Sequence, residues 1–363
     1  MTMKRITFIG IILIGLCNIQ LKAQDDAADF LSMGLSEGEK LIEAYLDPMG
    51  KAIGAGLGNG WYTSAKPHKL GGFDLTFGLN LARIPDADKM FNISSLNIEG
   101  LTSNVETTPT VVGDKDITPA NLTLVKQVPG VGDSEPLNFT APSGQGIKKV
   151  PVPNVNLAIG LPKGTEIIGR FIPTIKIPEV GKMGMWGVGL KHDVFQWLPV
   201  VDKIPIDLSI LGGYTKFKAV YDEIEILPAA VADHNLITEN YLFDNQELNF
   251  SVSSFTANII VSKKIAVITP YLGFGFTRSK FNISLLGDYP VPRVDVNPSS
   301  PYVGETIVTN DDVLNKPVDI DIPNFMGNAT VGMRLKLAIF AFHGQYTFQK
   351  YPVIDFGFGF NFR

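Results

Sequence analysis

The strongest constraint on this chain is the two-residue period of its last segment. Ile354, Phe356, Phe358, Phe360 and Phe362 fall on one face, and Asp355, Gly357, Gly359, Asn361 and Arg363 on the other. Successive side chains of a β-strand point to opposite sides. The segment is therefore a strand with one uniformly apolar side and one polar or small side. The rule repeats upstream. Phe340, Phe342, Tyr346 and Phe348 oppose His343, Gln345, Thr347 and Gln349, and Val331, Met333, Leu335 and Leu337 oppose Thr330, Arg334 and Lys336. Neighbouring strands that each carry charge on one face cannot line a dry soluble core without a large desolvation cost. They can line a wet lumen, with hydrocarbon on the other side.

Further strands obey the rule at 73–81, 155–161, 186–191, 206–215, 254–261 and 272–277, with a shorter, less regular one at 166–172. The fold class is all-β: a transmembrane antiparallel β-barrel. About ten strands are clear, and the segment 83–152 is too long for one loop, with Asn121–Val128 resembling a strand. An even number of extra strands there gives roughly 12–14. Long links at 83–152, 220–246 and 285–325 tend to alternate with short ones near Pro162–Thr165, Ser262–Ala266 and Leu337, as expected of outer loops and inner turns, with the longish inner link Phe195–Pro205 and the tight outer turn Gln349–Pro352 as exceptions. The link 285–325 is rich in Asp and in proline, including Pro323, which marks loops or edges because proline cannot donate to a ladder. This gives a barrel over 71–363.

The facing rule assigns Asp74, Arg170, Lys191, Asp207, Arg334, Lys336, His343 and Asp355 to the lumen. Charges there either set selectivity or brace a plug by ion pairing.

Residues 1–23 read as a cleavable signal peptide. Lys4 and Arg5 precede the apolar run Ile6–Leu16, and Ala23 offers a small residue before Gln24. The run is short for a membrane anchor, and Leu16 before Cys17 argues against lipidation. Cys17 is the one cysteine, so the mature chain has none, which suits an oxidising periplasm. Removing Lys4, Arg5 and Lys22 leaves 28 basic against 36 acidic residues, a net charge of −8. Nucleic acid, which wants basic patches, is not expected as a partner.

Residues 24–70 break the two-residue period. Phe30, Leu31, Leu35, Leu41, Ile42, Tyr45 and Leu46 recur at helical spacing, Ser36 with Glu39 makes a capping box, and Asp47-Pro48 is expected to end the helix. The glycines at 50, 54, 56, 58 and 60 then predict a flexible, weakly helical stretch. A large barrel needs its lumen filled, so 24–70 is expected to be a plug or hatch.

Three segments, Leu41–Pro48, Gly60–Lys69 and Gly187–Asp193, resemble an uncharacterised family of exported bacterial barrel proteins. More distantly the chain is similar to the long-chain fatty-acid transporter barrels. That resemblance implies an N-terminal hatch and an apolar ligand path, although their Asn-Pro-Ala hatch motif is replaced here by Asp47-Pro48-Met49. The last strand resembles the aromatic-rich terminus that such barrels present to the barrel-assembly machinery, with Arg363 following the aromatic Phe362. The resemblance implies bacterial outer-membrane localisation, with outer-membrane lipid, the assembly machinery and a small hydrophobic ligand as partners.

Catalytic chemistry is not expected. Of the histidines His68, His192, His234 and His343, only His343 is assigned to the lumen, and no serine is placed opposite it. His192 and Asp193 point to opposite faces. Asp311-Asp312 and Asp319-x-Asp321 lack calcium-loop spacing and read as solvated acid, and the glycine run follows no strand as a phosphate cradle would. No cofactor, metal or catalytic residue is assigned. The sequence points to a passive channel or transporter for small, in particular hydrophobic, molecules. The alternatives are a non-conducting barrel displaying acidic loops for binding or adhesion, and an outer-membrane hydrolase.

Overall fold

The computed structural model describes residues 35–125, 127–128, 132–133, 136–177, 181–197, 205–221, 246–287, 289–290, 293–294, 306–307, 313–314, 316 and 318–362. The signal segment 1–23, Phe30, Leu31, His234, Asp311 and Asp312 lie outside them, as do most of the loop 220–246 and the side chain of Ser36.

Ten strands close into a barrel: β1 (Phe73–Arg83), β2 (Lys149–Leu161), β3 (Thr165–Ile177), β4 (Gly181–Asp193), β5 (Asp207–Tyr221), β6 (Glu247–Ser262), β7 (Ile268–Leu286), β8 (Val318–Leu337), β9 (Phe340–Phe348) and β10 (Val353–Phe362). Each pairs antiparallel with its sequence neighbour, and β10 closes the ring on β1 with Phe73 opposite Phe362 and Leu81 opposite Ile354. A closed ring leaves no edge to hydrocarbon, one of the two solutions open to a membrane-spanning backbone. The alternation decides which face is which. Phe171, Trp186, Leu190, Ile259, Phe274, Phe342, Phe356 and Phe358 are exposed on the outside, while Asp74, Asn80, Asn156, Arg170, Thr215, Thr347 and Asp355 are buried inside. No helix among the described residues is long and apolar enough to cross a membrane.

The barrel thus closes with ten strands among the described residues, not 12–14. The segment 84–148 does not enter the wall. It folds into small sheets, one pairing Met90–Asn92 with Thr107–Pro109 and another joining Leu101–Ser103, Asn121–Leu124 and Leu137–Thr140. Its described strands have two to four residues each, too short to span a bilayer.

Of the two readings of Pro323, loop or edge, the edge holds: it lies within β8, opposite Lys280 of β7. The pairing of β8 with β9 begins only at Ala329. The stretch holding Pro323 is therefore an edge, where a missing N–H breaks no ladder bond. β3, read as short, runs thirteen residues through a bulge at which Pro173 and Thr174 together face Gly184.

The one α-helix among the described residues, α1 (Leu35–Leu57), occupies the lumen and continues through Pro48. The expectation that Asp47-Pro48 ends it fails. An interior proline costs a helix about 3 kcal/mol, but here the surrounding wall supplies the packing, with Leu41, Tyr45, Met49, Ala52, Ala55 and Leu57 all buried in one core.

Candidate functional site: the plugged lumen

The barrel's two ends differ. Both the start of β1 and the end of β10 lie at one end, with short links 162–164, 263–267 and 338–339; the long links 84–148, 222–246 and 287–317 lie at the other. Helix α1 begins under the long-link end, where the backbone of Val111 donates to the Tyr45 carbonyl at 3.0 Å and the Tyr45 hydroxyl donates to the Ser143 carbonyl at 2.9 Å. The chain descends to Leu57, continues through a series of turns and bends along the lumen to Gly72, and there joins the opposite end through hydrogen bonds between Gly71, Gly72 and Gly160. Residues 35–72 therefore traverse the pore from one mouth to the other.

The glycines of the plug are close-approach positions. A Cβ on Gly50 would stand 2.2 Å from the Phe281 ring, one on Gly54 2.3 Å from the Ser279 hydroxyl, one on Gly56 2.6 Å from Val152 and one on Gly58 2.6 Å from Thr277. The run expected to be flexible is helical because each glycine lets the backbone lie on the wall. The wall reciprocates below: Trp61 lies against Gly187, Gly189 and Gly213, where added Cβ atoms would meet its ring at 3.2, 2.9 and 2.8 Å.

The C-terminal end of α1 carries no basic residue in its last turn, so its free carbonyls need outside donors. Arg170 supplies them from β3. Its guanidinium donates to the carbonyls of Leu57 and Asn59, both at 2.8 Å, and to Asn156 Oδ1 at 2.9 Å, and it stacks 4.0 Å from the centroid of Trp61. Asn80 donates to the Gly56 carbonyl and the Asn59 side chain to that of Ala55, each at 2.8 Å. A wholly buried cation beside a helix C-terminus is favoured by the dipole as well as by the bonds.

Below this cap the plug is held by charge. Glu166 of β3 accepts from Lys191 at 2.8 Å, from the backbone N–H of His68 at 2.8 Å, and sits 2.6 Å from His68 Nδ1. Lys191 also reaches the Ser64 carbonyl at 3.4 Å. Across the lumen Asp74 accepts from Arg334 at 2.6 Å and from Asn361 at 3.1 Å, and His68 Nε2 lies 3.9 Å from it. Lys336 binds Asn361. Asp207, half-buried, meets Lys66 at 3.5 Å. Asp355 and His343 face each other at 3.5 Å, and neither Asp355 oxygen has a hydrogen-bond partner among the described residues.

Of the eight residues assigned to the lumen, six (Asp74, Arg170, Lys191, Asp207, Arg334 and Lys336) form the ring that grips 57–68 directly or through one neighbour, and Asp355 with His343 forms a separate buried pair. Asn80 and Asn156 lie on the polar face that the alternation gives β1 and β2, whereas Glu166 and Trp61 are not assigned by the sequence. Glu166 shares the lumen face of β3 with Arg170, so the alternation rule extends to it.

No cluster of three or more His, Cys, Asp or Glu suited to a metal occurs among the described residues. His192 spends its ring nitrogens on Thr165 at 2.9 Å and the Trp197 indole at 2.8 Å. Asp319 and Asp321 are bound by Asn282, and Lys316 and Lys280 pair with them. A cleft of about 470 Å³ lies at the long-link mouth between α1 and 87–110, lined by Lys40, Glu43, Asp47, Lys51, Asp88 and Phe91 among others. A second cavity, of about 40 Å³ and almost wholly apolar, lies between α1 and the wall at β2–β5.

A ring of strands with an apolar outer face, a polar inner face and a chain segment threaded through it defines a plugged transmembrane β-barrel. Over residues 3–362 the chain belongs to a family of unknown function, DUF6588. No curated protein matches it. Among solved structures it is similar to Ail of Yersinia pestis, solved with a heparin analogue (9% identity, TM-score 0.26, covering 81% of this chain and 99% of that one). It is also similar to the translocator domain of the autotransporter NalP of Neisseria meningitidis (9%, 0.29, 88% and 96%) and to the outer membrane transporter YddB of Escherichia coli (9%, 0.28, 80% and 41%). These are outer-membrane barrels. The barrel assignment itself rests on this chain's own strand pairing.

Proposed function

We propose that this protein is an outer-membrane passage for small hydrophobic molecules, kept closed to ions by its own N-terminal segment and performing no chemistry. The observation that carries the reading is the division of the lumen. Its polar half is filled and hydrogen-bonded by residues 57–72, while its other half meets α1 mainly through aliphatic and aromatic side chains around a small apolar cavity, with Ser254 and Asn80 bonding the carbonyls of Gly54 and Gly56. A lumen sealed in this way favours slender apolar solutes over hydrated ions. Export by the signal segment 1–23, insertion by the assembly machinery through β10, and a substrate class akin to that of the fatty-acid transporters belong to the same proposal.

The test pairs two measurements on the full chain. Ionic conductance in planar bilayers is expected to be low, and cells producing the protein are expected to take up a hydrophobic fluorescent probe faster than cells without it. Uptake unchanged by the protein would refute the reading and favour the display of the 84–148 sheets as a binding surface. Hydrolysis of a lipid ester by the purified barrel would refute the non-enzymatic part.

A further inference from the structure

We infer that the wall contains a lateral port, a seam between β2 and β3 through which an aliphatic chain passes between the lumen and the outer leaflet; this rests on the proposed hydrophobic passage. The ladder joining these two strands stops at Asn156 opposite Arg170. Both strands continue. β2 remains paired to β1 as far as Lys149 opposite Arg83, and β3 remains paired to β4 as far as Ile177 opposite Gly181. The facing edges of 149–155 and 171–177 are left without partners over roughly 20 Å at the rise of a strand.

This gap is at membrane depth. Val155 lies level with Phe77 and Phe358, and Pro151 with Leu81 and Ile354; Phe358 and Ile354 belong to the exposed apolar belt, as does Phe171 on the other lip. An unpaired N–H in hydrocarbon costs several kcal/mol, so an open edge here needs a reason. The sequence removes donors at the lips: Pro151, Pro153 and Pro173 have none. Pro151 and Pro153 are two residues apart and so address the same neighbour. Pairing with β1 runs on past both, which turns their donorless side to β3. The bulge at Pro173-Thr174 bends β3 away at the same level.

Behind the seam lies the small apolar cavity, lined by Ile53, Leu57, Val152, Ile172, Met185 and Phe217. Its lining carries no charge. At about 40 Å³ it is too small to hold a hydrocarbon chain as it stands. An occupant must therefore be slender and must displace side chains, and Met185 is the kind of residue that yields. That describes one hydrocarbon chain.

The test uses the full chain in lipid nanodiscs with Cys17→Ser and a diazirine-tagged alkane as probe. Photolabel is expected on Leu57 and Met185 when the seam is free. Oxidising a Val155→Cys/Phe171→Cys pair across the seam should abolish it, whereas a Leu79→Cys/Phe356→Cys pair across the continuous β1–β10 ladder should leave it unchanged. Lumenal label that survives the seam disulfide overturns the port but leaves hydrophobic passage standing; absence of lumenal label in every chain overturns both. A Pro151→Thr/Pro153→Thr/Pro173→Thr chain gives a measurement free of the disulfides. Restored donors should extend the ladder, slow amide exchange over 171–177 and reduce the label, and unchanged exchange together with unchanged label overturns the role assigned to the prolines.

Discussion

The two halves of the lumen are built on opposite principles. Towards the termini, the irregular segment 57–72 is fixed by directional bonds: Arg170 to two backbone carbonyls, Glu166 between Lys191 and His68, Arg334 on Asp74. The wall there is hydrogen-bonded all round. Towards the long links, α1 is held by burial and by glycines laid on the wall, and the ladder between β2 and β3 is interrupted. Buried polar networks lose much when any member is removed; apolar contacts slide at small cost. The comparison teaches that the terminal half is the anchor and the other half the part that can yield.

The largest effect should come from breaking the anchor at its centre. Arg170→Ala leaves the carbonyls of Leu57 and Asn59 without a donor and Trp61 without its stacked cation, and is expected to lower stability by about 3 kcal/mol or more. Retention of the folded band on unheated detergent gels across a temperature series measures this, and an unchanged midpoint would contradict the trans-capping role. Next is Glu166→Gln, which strands Lys191 in the lumen at a cost of about 2–3 kcal/mol. Adding Lys191→Met should recover a good part of that loss, and strict additivity of the two changes would show that they do not act as a pair.

In the yielding half the effects should be smaller and local. Gly56→Ala gains about 1 kcal/mol of helix propensity but drives a methyl to 2.6 Å from Val152, an overpacking that costs about 1–3 kcal/mol. The net loss of stability should be about 2 kcal/mol or less. Amide exchange over 149–155 should nevertheless rise clearly, because Val152 is on the seam. Faster exchange spread over the 64–72 segment instead would erase the distinction between the halves.

What the sequence discloses about these halves follows the range of each signal. Period-two alternation is local, so it assigns the faces of β10, β9 and β8, and hence the lumen charges, without knowledge of the fold. It cannot separate a wall strand from a short surface sheet, which is why Asn121–Val128 reads as part of the barrel. Proline is read by what it forbids, but the prohibition binds only where the missing N–H would have been used. Pro48 sits in a helix braced by the wall, and Pro323 on an unpaired edge. The glycines of 50–60 give no local hint of rigidity, since what they accommodate is Phe281, Ser279, Val152 and Thr277, all far away in sequence. Arg170 is assigned to the lumen by its strand, whereas its partner, the end of α1, emerges only once the barrel closes.

The smallest effect should come from outside the barrel proper, where β7 and β8 rise beyond the level at which β9 ends. Asp319 stands there among Lys316, Asn282 and Lys280, with the hydrogen bond from Lys316 first and that from Asn282 next in holding its carboxyl below the usual carboxylate range. The group is exposed, so solvent screens the pair. A carboxyl whose pKa is lowered by folding adds stability that is present above its ordinary value and is lost as pH falls through the depressed one. Acidification below about pH 4 should therefore remove this contribution, and Asp319→Asn should remove it at every pH. Either change should amount to about 0.5 kcal/mol or less, with lumenal labelling and the Arg170 cap untouched. A large loss of stability from Asp319→Asn would mean that the hairpin above the membrane helps to hold α1, and would move the boundary of the yielding half outward to include it.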